Sequence, residues 1–496
     1  MNLPAIERAK IYDQNIAIST TTGVFTYRDL LHASSQIATH LLAHDADLQE
    51  RRVAFLIPSG FEYVATLWGI WRAGGIAVPL CTVHPRPELE YVITNSGASI
   101  VIAHPDFEDS LRPIAQDRNL RFILTSEPLP DSISVLPDLD LARRALILYT
   151  SGTTGKPKGV VTTHQNIQAQ VTSLIDAWEW TARDRILHVL PLHHIHGIVN
   201  VLACALWAGA ECQMVAKFDA QTVWNRIGEG NLTLFMAVPT IYVKLINAWE
   251  NADRERQQQL SAGCDKMRLM VSGSAALPVT VLEKWQTISN HFLLERYGMT
   301  EIGMAISNPL HGERTAGSVG TPLPQVEVRL VDENGDLVPP GTPGEIQVKS
   351  QGVFLEYWQN PTATAKAFQS GWFCTGDLAV VEDGNYRLLG RMSVDIIKTG
   401  GYKVSALEIE EVLRSHPDIQ GCAVVGVADP EWGERVCAVL VLEPQCQLTL
   451  ATMRSWAKER LAVYKVPSQI LLVAELPRNV MGKVTKPAVV ELFRSM

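Results

Sequence analysis

The sequence predicts a multidomain α/β protein: a long region of alternating strands and helices, then an antiparallel β segment, then a small α+β unit. Three shifts of pattern carry this. Short, almost wholly apolar runs alternate with amphipathic stretches to about residue 315; from residue 317 apolar and polar residues alternate between turn signals; after Gly390-Arg391 a third composition begins. The length agrees, because 496 residues at roughly 150 per domain make a chain of several domains with ample core.

Taken in order, residues 53–57 and 99–103 read as buried strands. Residues 60–73 read as a helix with Phe61, Val64, Leu67 and Trp68 on one face. This alternation implies βαβ units and a largely parallel sheet. Leu146-Ile147-Leu148-Tyr149 is another strand that feeds a loop of small and hydroxylated residues. Residues 197–210 are almost wholly apolar, yet they contain Asn200 and stop before Glu211. The run is shorter than the roughly 20 residues a bilayer requires, so it is a buried helix and no membrane span. Strand patterns resume at 210–216, 232–238 and 267–272, each before a helix-like stretch. Residues 326–330 and 345–348 alternate in polarity, with Asn334-Gly335 and Pro339-Pro340-Gly341 as turns, and predict an antiparallel sheet or small barrel. The last region shows an amphipathic helix with Leu407, Ile409, Val412 and Leu413, strands at 422–427 and 436–442, and a helix near 453–461.

Composition excludes several classes of function. With 47% apolar and 19% charged residues the chain is neither disordered nor collagen-like. The 43 basic and 52 acidic residues leave a net charge of −9, which argues against a nucleic-acid partner. An anionic ligand must then meet cations placed locally. Eight cysteines form no CxxC pair, so a reducing compartment is expected and structural zinc is not. The first fifteen residues, MNLPAIERAKIYDQN, show no export or organelle signal, and a cytoplasmic enzyme is the expectation.

The strongest chemical signal is Tyr149-Thr150-Ser151-Gly152-Thr153-Thr154-Gly155-Lys156-Pro157-Lys158-Gly159. Glycines let backbone N–H groups approach an anion, hydroxyls add donors, and lysines offset phosphate charge. It is not a Walker A loop, since Pro157 follows the first lysine.

This string resembles the phosphate loop of the adenylate-forming, acyl-activating enzymes, among them acyl-CoA synthetases, luciferases and peptide-synthetase adenylation domains. Further motifs follow in that family's order: Ser272-Gly273-Ser274, Tyr297-Gly298-Met299-Thr300-Glu301, Thr375-Gly376-Asp377, Gly390-Arg391 and Met481-Gly482-Lys483. The resemblance implies a large N-terminal domain over residues 1–391, with α/β subdomains to about 315 and a small β-barrel-like subdomain over 316–391. It also implies a mobile C-terminal domain over 392–496. The reaction implied is attack of a carboxylate on the α-phosphorus of ATP, followed by displacement of AMP by a thiol.

By that resemblance Thr300, Glu301 and Lys483 are catalytic. Thr300 donates to the α-phosphate, and Lys483 bridges carboxylate and phosphate. Thr150, Ser151, Gly152, Thr153, Thr154, Gly155, Lys156, Ser274, Tyr297, Asp377 and Arg391 bind ATP, while Glu301 with Thr150 holds Mg²⁺. Asp377 suits the ribose hydroxyls because an ionised carboxylate offers only lone pairs. Gly400, Gly401, Tyr402 and Lys403 resemble the segment that meets coenzyme A after the small domain turns. Lys403, Arg460 and Lys465 either meet its phosphates or are plain surface charges. The pivot falls near residues 392–394, where this chain carries one residue more than most relatives between Arg391 and Gly401.

The acid pocket resembles that of malonyl-CoA synthetases in Glu295-Arg296-Tyr297-Gly298-Met299-Thr300-Glu301-Ile302-Gly303-Met304, in His193-His194-Ile195-His196-Gly197 and in residues 391–402. Arg296 at the acyl end would hold a second carboxylate bidentately. Alternatively, Arg296 pairs with Glu295 or another local acid. His196 is a second candidate for the pocket. The expected activity is malonyl-CoA or methylmalonyl-CoA synthesis; the competing readings are ligation of a medium-chain, aryl or oxalate-like acid, and a catalytically silent protein of the same fold. The partners expected are the acid, ATP and CoA, with no nucleic acid, and a monomer or weak homodimer.

Overall fold

Strands with no polar alternation need cover on both faces, and helices between them supply it. The computed structural model describes residues 3–150, 156–478 and 483–494. It arranges these strands into two sheets rather than one. The first has seven strands, in the order Glu356–Tyr357, Lys158–Thr163, Arg144–Thr150, Ile76–Pro79, Arg52–Leu56, Ile100–Ala103, Arg121–Leu124. Its last five strands run parallel. The second has nine strands, with a parallel centre of Leu294–Met299, Leu269–Ser272, Leu234–Ala237, Arg185–His188, Glu211–Met214 and Ile16–Ser19. Antiparallel strands close both of its edges.

Helix Phe61–Arg72 fills the space between them with Tyr63, Val64, Leu67, Trp68 and Trp71, all buried. The apolar run after His196 is buried as expected. Its first part, His196–Ala203, winds as a π-helix before continuing as Cys204–Ala208. Wider turns of this kind recur at functional sites. Among the described residues no helix is long and apolar enough to cross a membrane.

The antiparallel region forms a sheet in the order Glu327–Val331, Gly344–Lys349, Trp372–Glu382, Phe368–Gln369, with Asn385–Arg391 on the far part of Trp372–Glu382. It is not sealed off from what precedes it. Thr321–Pro322 extends the nine-stranded sheet, and Glu356–Tyr357 returns to the edge of the seven-stranded one. The last region is a five-stranded sheet built on the long hairpin Ile419–Asp429 and Gly433–Leu442, with helices Ala406–Arg414, Leu450–Lys458 and Lys486–Arg494. Its apolar clusters contain residues from 397 onward, whereas the others stop at 388. The chain between them is a turn closed by Asp395, whose carboxylate accepts the Arg391 N–H at 3.0 Å.

Candidate active site

Successive residues of a strand point to opposite sides, and Leu294–Met299 uses this to separate two ionisable neighbours. Glu295 turns one way, where its Oε1 accepts the Leu277 N–H at 2.9 Å. Arg296 turns the other way beneath Gly273, where a Cβ would lie 2.3 Å from the guanidinium carbon. Only glycine admits that approach. Arg296 is 3% exposed, and its Nε and one terminal nitrogen have no hydrogen-bond partner. The pairing of Arg296 with Glu295 is therefore not formed. Burial pushes Arg296 down to about 9 and Glu295 up to about 8, because each charge has left water for a site that does not compensate it.

His196 opens the π-helix beside this guanidinium. Its Nδ1 lies 3.1 Å from Ser274 Oγ and its Nε2 has no partner. Burial, followed by the charge of Arg296, holds the imidazole well below its ordinary value, so the ring is neutral. Ser274 itself sits at φ +68°, a conformation non-glycine residues rarely adopt and one that concentrates at functional sites. Lys483 arrives from the last region. Burial, then repulsion from Arg296 and Arg391, lowers its pKa, so it feels both guanidinium charges. His194 lies nearby: the residue is half-buried, its buried Nε2 is unpartnered, and its pKa is depressed by burial, His193 and Lys483. Sequence reasoning missed His194, although the doubled histidine of His193-His194 was its signal. Among the described residues no group of three or more His, Cys, Asp or Glu side chains converges on a metal position.

On the other side of Lys483, cross-strand pairing puts Asp377 directly opposite Arg391. Arg391 Nε donates to Asp377 Oδ1 at 2.9 Å, and the Tyr297 hydroxyl donates to Oδ2 at 2.7 Å. Each oxygen keeps a further lone pair for an outside donor. Thr300 and Glu301 occupy the turn between Leu294–Met299 and Gly303–Ser307. Glu301 is buried and accepts the Tyr357 hydroxyl at 2.9 Å. Burial raises its pKa, with Tyr357, Arg391 and Lys158 pulling the other way. Tyr357 is a contributor that the sequence did not single out; Lys158, the second lysine of the loop string, has its ammonium 4.9 Å from the Tyr357 ring centre. Thr150 ends its strand opposite Lys158. Ser151, Gly152, Thr153, Thr154 and Gly155 lie outside the described residues. The Lys156 ammonium sits 5.6 Å from the Tyr91 ring centre.

The Gly400–Lys403 group is not gathered here. Tyr402 stacks on Tyr464 with ring centres 4.3 Å apart, Gly400 lies against Trp432, and Lys403 pairs with Glu333. Those residues occupy the hairpin of Ile396–Thr399 and Tyr402–Ser405, whereas Lys483 precedes helix Lys486–Arg494.

The arrangement is a largely buried centre with a charged inner wall, and comparison with known proteins gives the class. The chain belongs to the AMP-binding enzyme family, whose pattern matches residues 6–358, while that of the AMP-binding enzyme C-terminal domain matches residues 408–483. Among individual proteins it is 47% identical to the mitochondrial malonate–CoA ligase ACSF3 of Bos taurus, over 97% of this chain and 89% of that one. It is 40% identical to a malonate–CoA ligase of Arabidopsis thaliana, over 95% and 85%. The crystal structure of ATP-bound MatB from Rhodopseudomonas palustris is similar with a TM-score of 0.91 at 32% identity, over 100% of this chain and 99% of that one. The apo form of the same protein gives 0.81.

Proposed function

We propose that this protein ligates malonate to coenzyme A, using ATP and passing through an acyl-adenylate. A malonate carboxylate oxygen attacks the α-phosphorus, the bond to the β-phosphate breaks, and pyrophosphate leaves. The thiol of coenzyme A then attacks the acyl carbon, the acyl–phosphate bond breaks with AMP as leaving group, and the thiol proton passes to solvent.

One observation carries the choice of acid: Arg296 is fully buried with unfilled donors, beside neutral His196 and within the field of Lys483. A guanidinium in such a place is completed by an anion that accepts from its planar fork. Malonate supplies one carboxylate there and presents the other to the α-phosphate. A fatty acid would leave the charge buried without a partner, which is costly. The naming of close relatives as malonate–CoA ligases supports the same reading.

Each remaining group has a task. Lys483 draws the reacting carboxylate and the α-phosphate together and offsets the charge that accumulates between them. Thr300 donates to the same phosphate, and Asp377, oriented by Tyr297 and Arg391, accepts from the ribose hydroxyls. Glu301 and Thr150 would offer Mg²⁺ hard oxygen donors, the kind it takes when substrate phosphates complete its shell. When bound, that ion neutralises phosphate charge. Gly400, Gly401, Tyr402 and Lys403 receive the pantetheine arm once the last region has turned away. The eight unpaired cysteines support a reducing compartment, the cytoplasm, which subcellular fractionation tests.

The deciding experiment measures pyrophosphate release over a panel of acids, with and without CoA. Malonate and methylmalonate are expected to exceed acetate, octanoate and benzoate by a wide margin. A preference for any monocarboxylate would overturn the assignment.

A further inference from the structure

Helix Ala406–Arg414 carries three carboxylates, Glu408, Glu410 and Glu411, and two of them face opposite neighbours. Glu410 is buried and pairs with Lys486, and with Arg414 at 2.9 Å. Lys486 lies three residues beyond Lys483 and is also 3.6 Å from Asp395 at the turn after Arg391. Glu411 reaches outward. Its Oε1 accepts the N–H of Val279 at 2.9 Å, and its other oxygen lies 3.4 Å from Arg414.

Val279 opens helix Val279–Ser289, whose N-cap residue is Pro278 and makes no side-chain cap bond. The first N–H groups of a helix lack internal partners and favour a negative charge, so a carboxylate from another part of the chain fills a real vacancy. The residues just before this helix form the inner wall of the acid pocket. Gly273 lies against the Arg296 guanidinium, Ser274 against His196, and Leu277 against Glu295. Glu295 also feels the Glu411 charge, which helps to keep its carboxyl protonated. The region that delivers Lys483 thus reaches the lip of the acid pocket through Glu411.

We propose that Glu411 is a positioning residue that docks the Lys483-bearing region against the acid-pocket lip for adenylation. It lets go when that region turns for thioester formation. This rests on the reading that Lys483 serves adenylation. Glu411 touches no reacting atom and acts by favouring the docked arrangement.

The test uses the full chain and separates the two half-reactions. In Glu411→Ala, pyrophosphate release from malonate and ATP is expected to fall about five- to tenfold, the usual cost of losing a helix cap. Thioester formation from supplied malonyl-adenylate and CoA should stay level or rise. Glu411→Gln keeps an acceptor oxygen and should recover most of the lost rate. Glu411→Lys, a cation at the positive end of the helix, should fall further than Ala. Lys483→Ala runs alongside to check the underlying reading. If Lys483→Ala splits the half-reactions while Glu411→Ala lowers both equally or neither, the docking role is overturned. If Lys483→Ala itself fails to split them, the underlying reading falls and the docking role with it.

Discussion

Arg296 and Glu295 show how far one strand can separate two neighbours that a sequence reads as a pair. Adjacent in the chain, they are held apart by alternation, and each pays separately for losing water. For Arg296 the expected consequence is selectivity. Arg296→Leu should cut turnover on malonate at least about thirtyfold, the low end for truncating one partner of a buried charge pair, yet change propionate less than about fivefold. Equal losses in the pyrophosphate assay would contradict the role. For Glu295 the consequence is a pH dependence. Its folded value near 8 lies above the ordinary 4.5 of the unfolded chain. Between those values the folded protein keeps a proton that the unfolded chain has lost, so rising pH favours unfolding. Glu295→Gln, a neutral isostere, removes this term. Its advantage in melting temperature over the parent should widen from about pH 5 to about pH 8; parallel curves would refute it. Arg296, Asp377 and Lys483 could be singled out in the sequence because each sits in a short string that resembles a motif of the family. Tyr357 and Glu411 could not, since their contacts join elements far apart in the chain.

Among the elements, strands were the easier to read. The runs read at 53–57, 99–103 and 267–272 form the strands Arg52–Leu56, Ile100–Ala103 and Leu269–Ser272, because unbroken apolar runs suit a sheet covered on both faces. The division into two sheets was hidden, because no local pattern says which parallel strand pairs with which. The π-winding of His196–Ala203 was equally silent, as an apolar run looks the same at either pitch. Pairing of the central elements also depends on a buried ion pair outside the active site. Asp184, 3% exposed, receives Arg268 at 2.7 Å, the Thr181 N–H at 2.8 Å and the Thr233 hydroxyl at 2.8 Å. Arg268 in turn donates to the carbonyls of Trp178 and Glu179, tying the end of helix His164–Trp178 to strand Leu269–Ser272. Asp184→Ala leaves that cation without its carboxylate. It should cost about 3 kcal/mol, the lower end for breaking such a pair because Arg268 is partly exposed. Urea unfolding measures it, and a midpoint within error of the parent would show that the pair is dispensable.

At the scale of the whole molecule, one cation is delivered by a region that has its own core. Lys483→Ala should therefore slow adenylation on the order of a hundredfold, as loss of a preorganised electrostatic contact does, and spare thioester formation from a supplied adenylate. Parallel losses would argue against alternation between two arrangements. Arg296, His196 and Lys483 crowded together have a final consequence for the resting protein. The Arg296 and Lys483 charges repel one another beside neutral His196 and have given up hydration, and an anion relieves both, so a diacid alone should tighten the fold before any nucleotide arrives. At a hundred times its dissociation constant such a ligand adds about 2.7 kcal/mol. A calorimetric scan should then register malonate by itself and ignore acetate, and no shift with malonate until ATP is added would refute it.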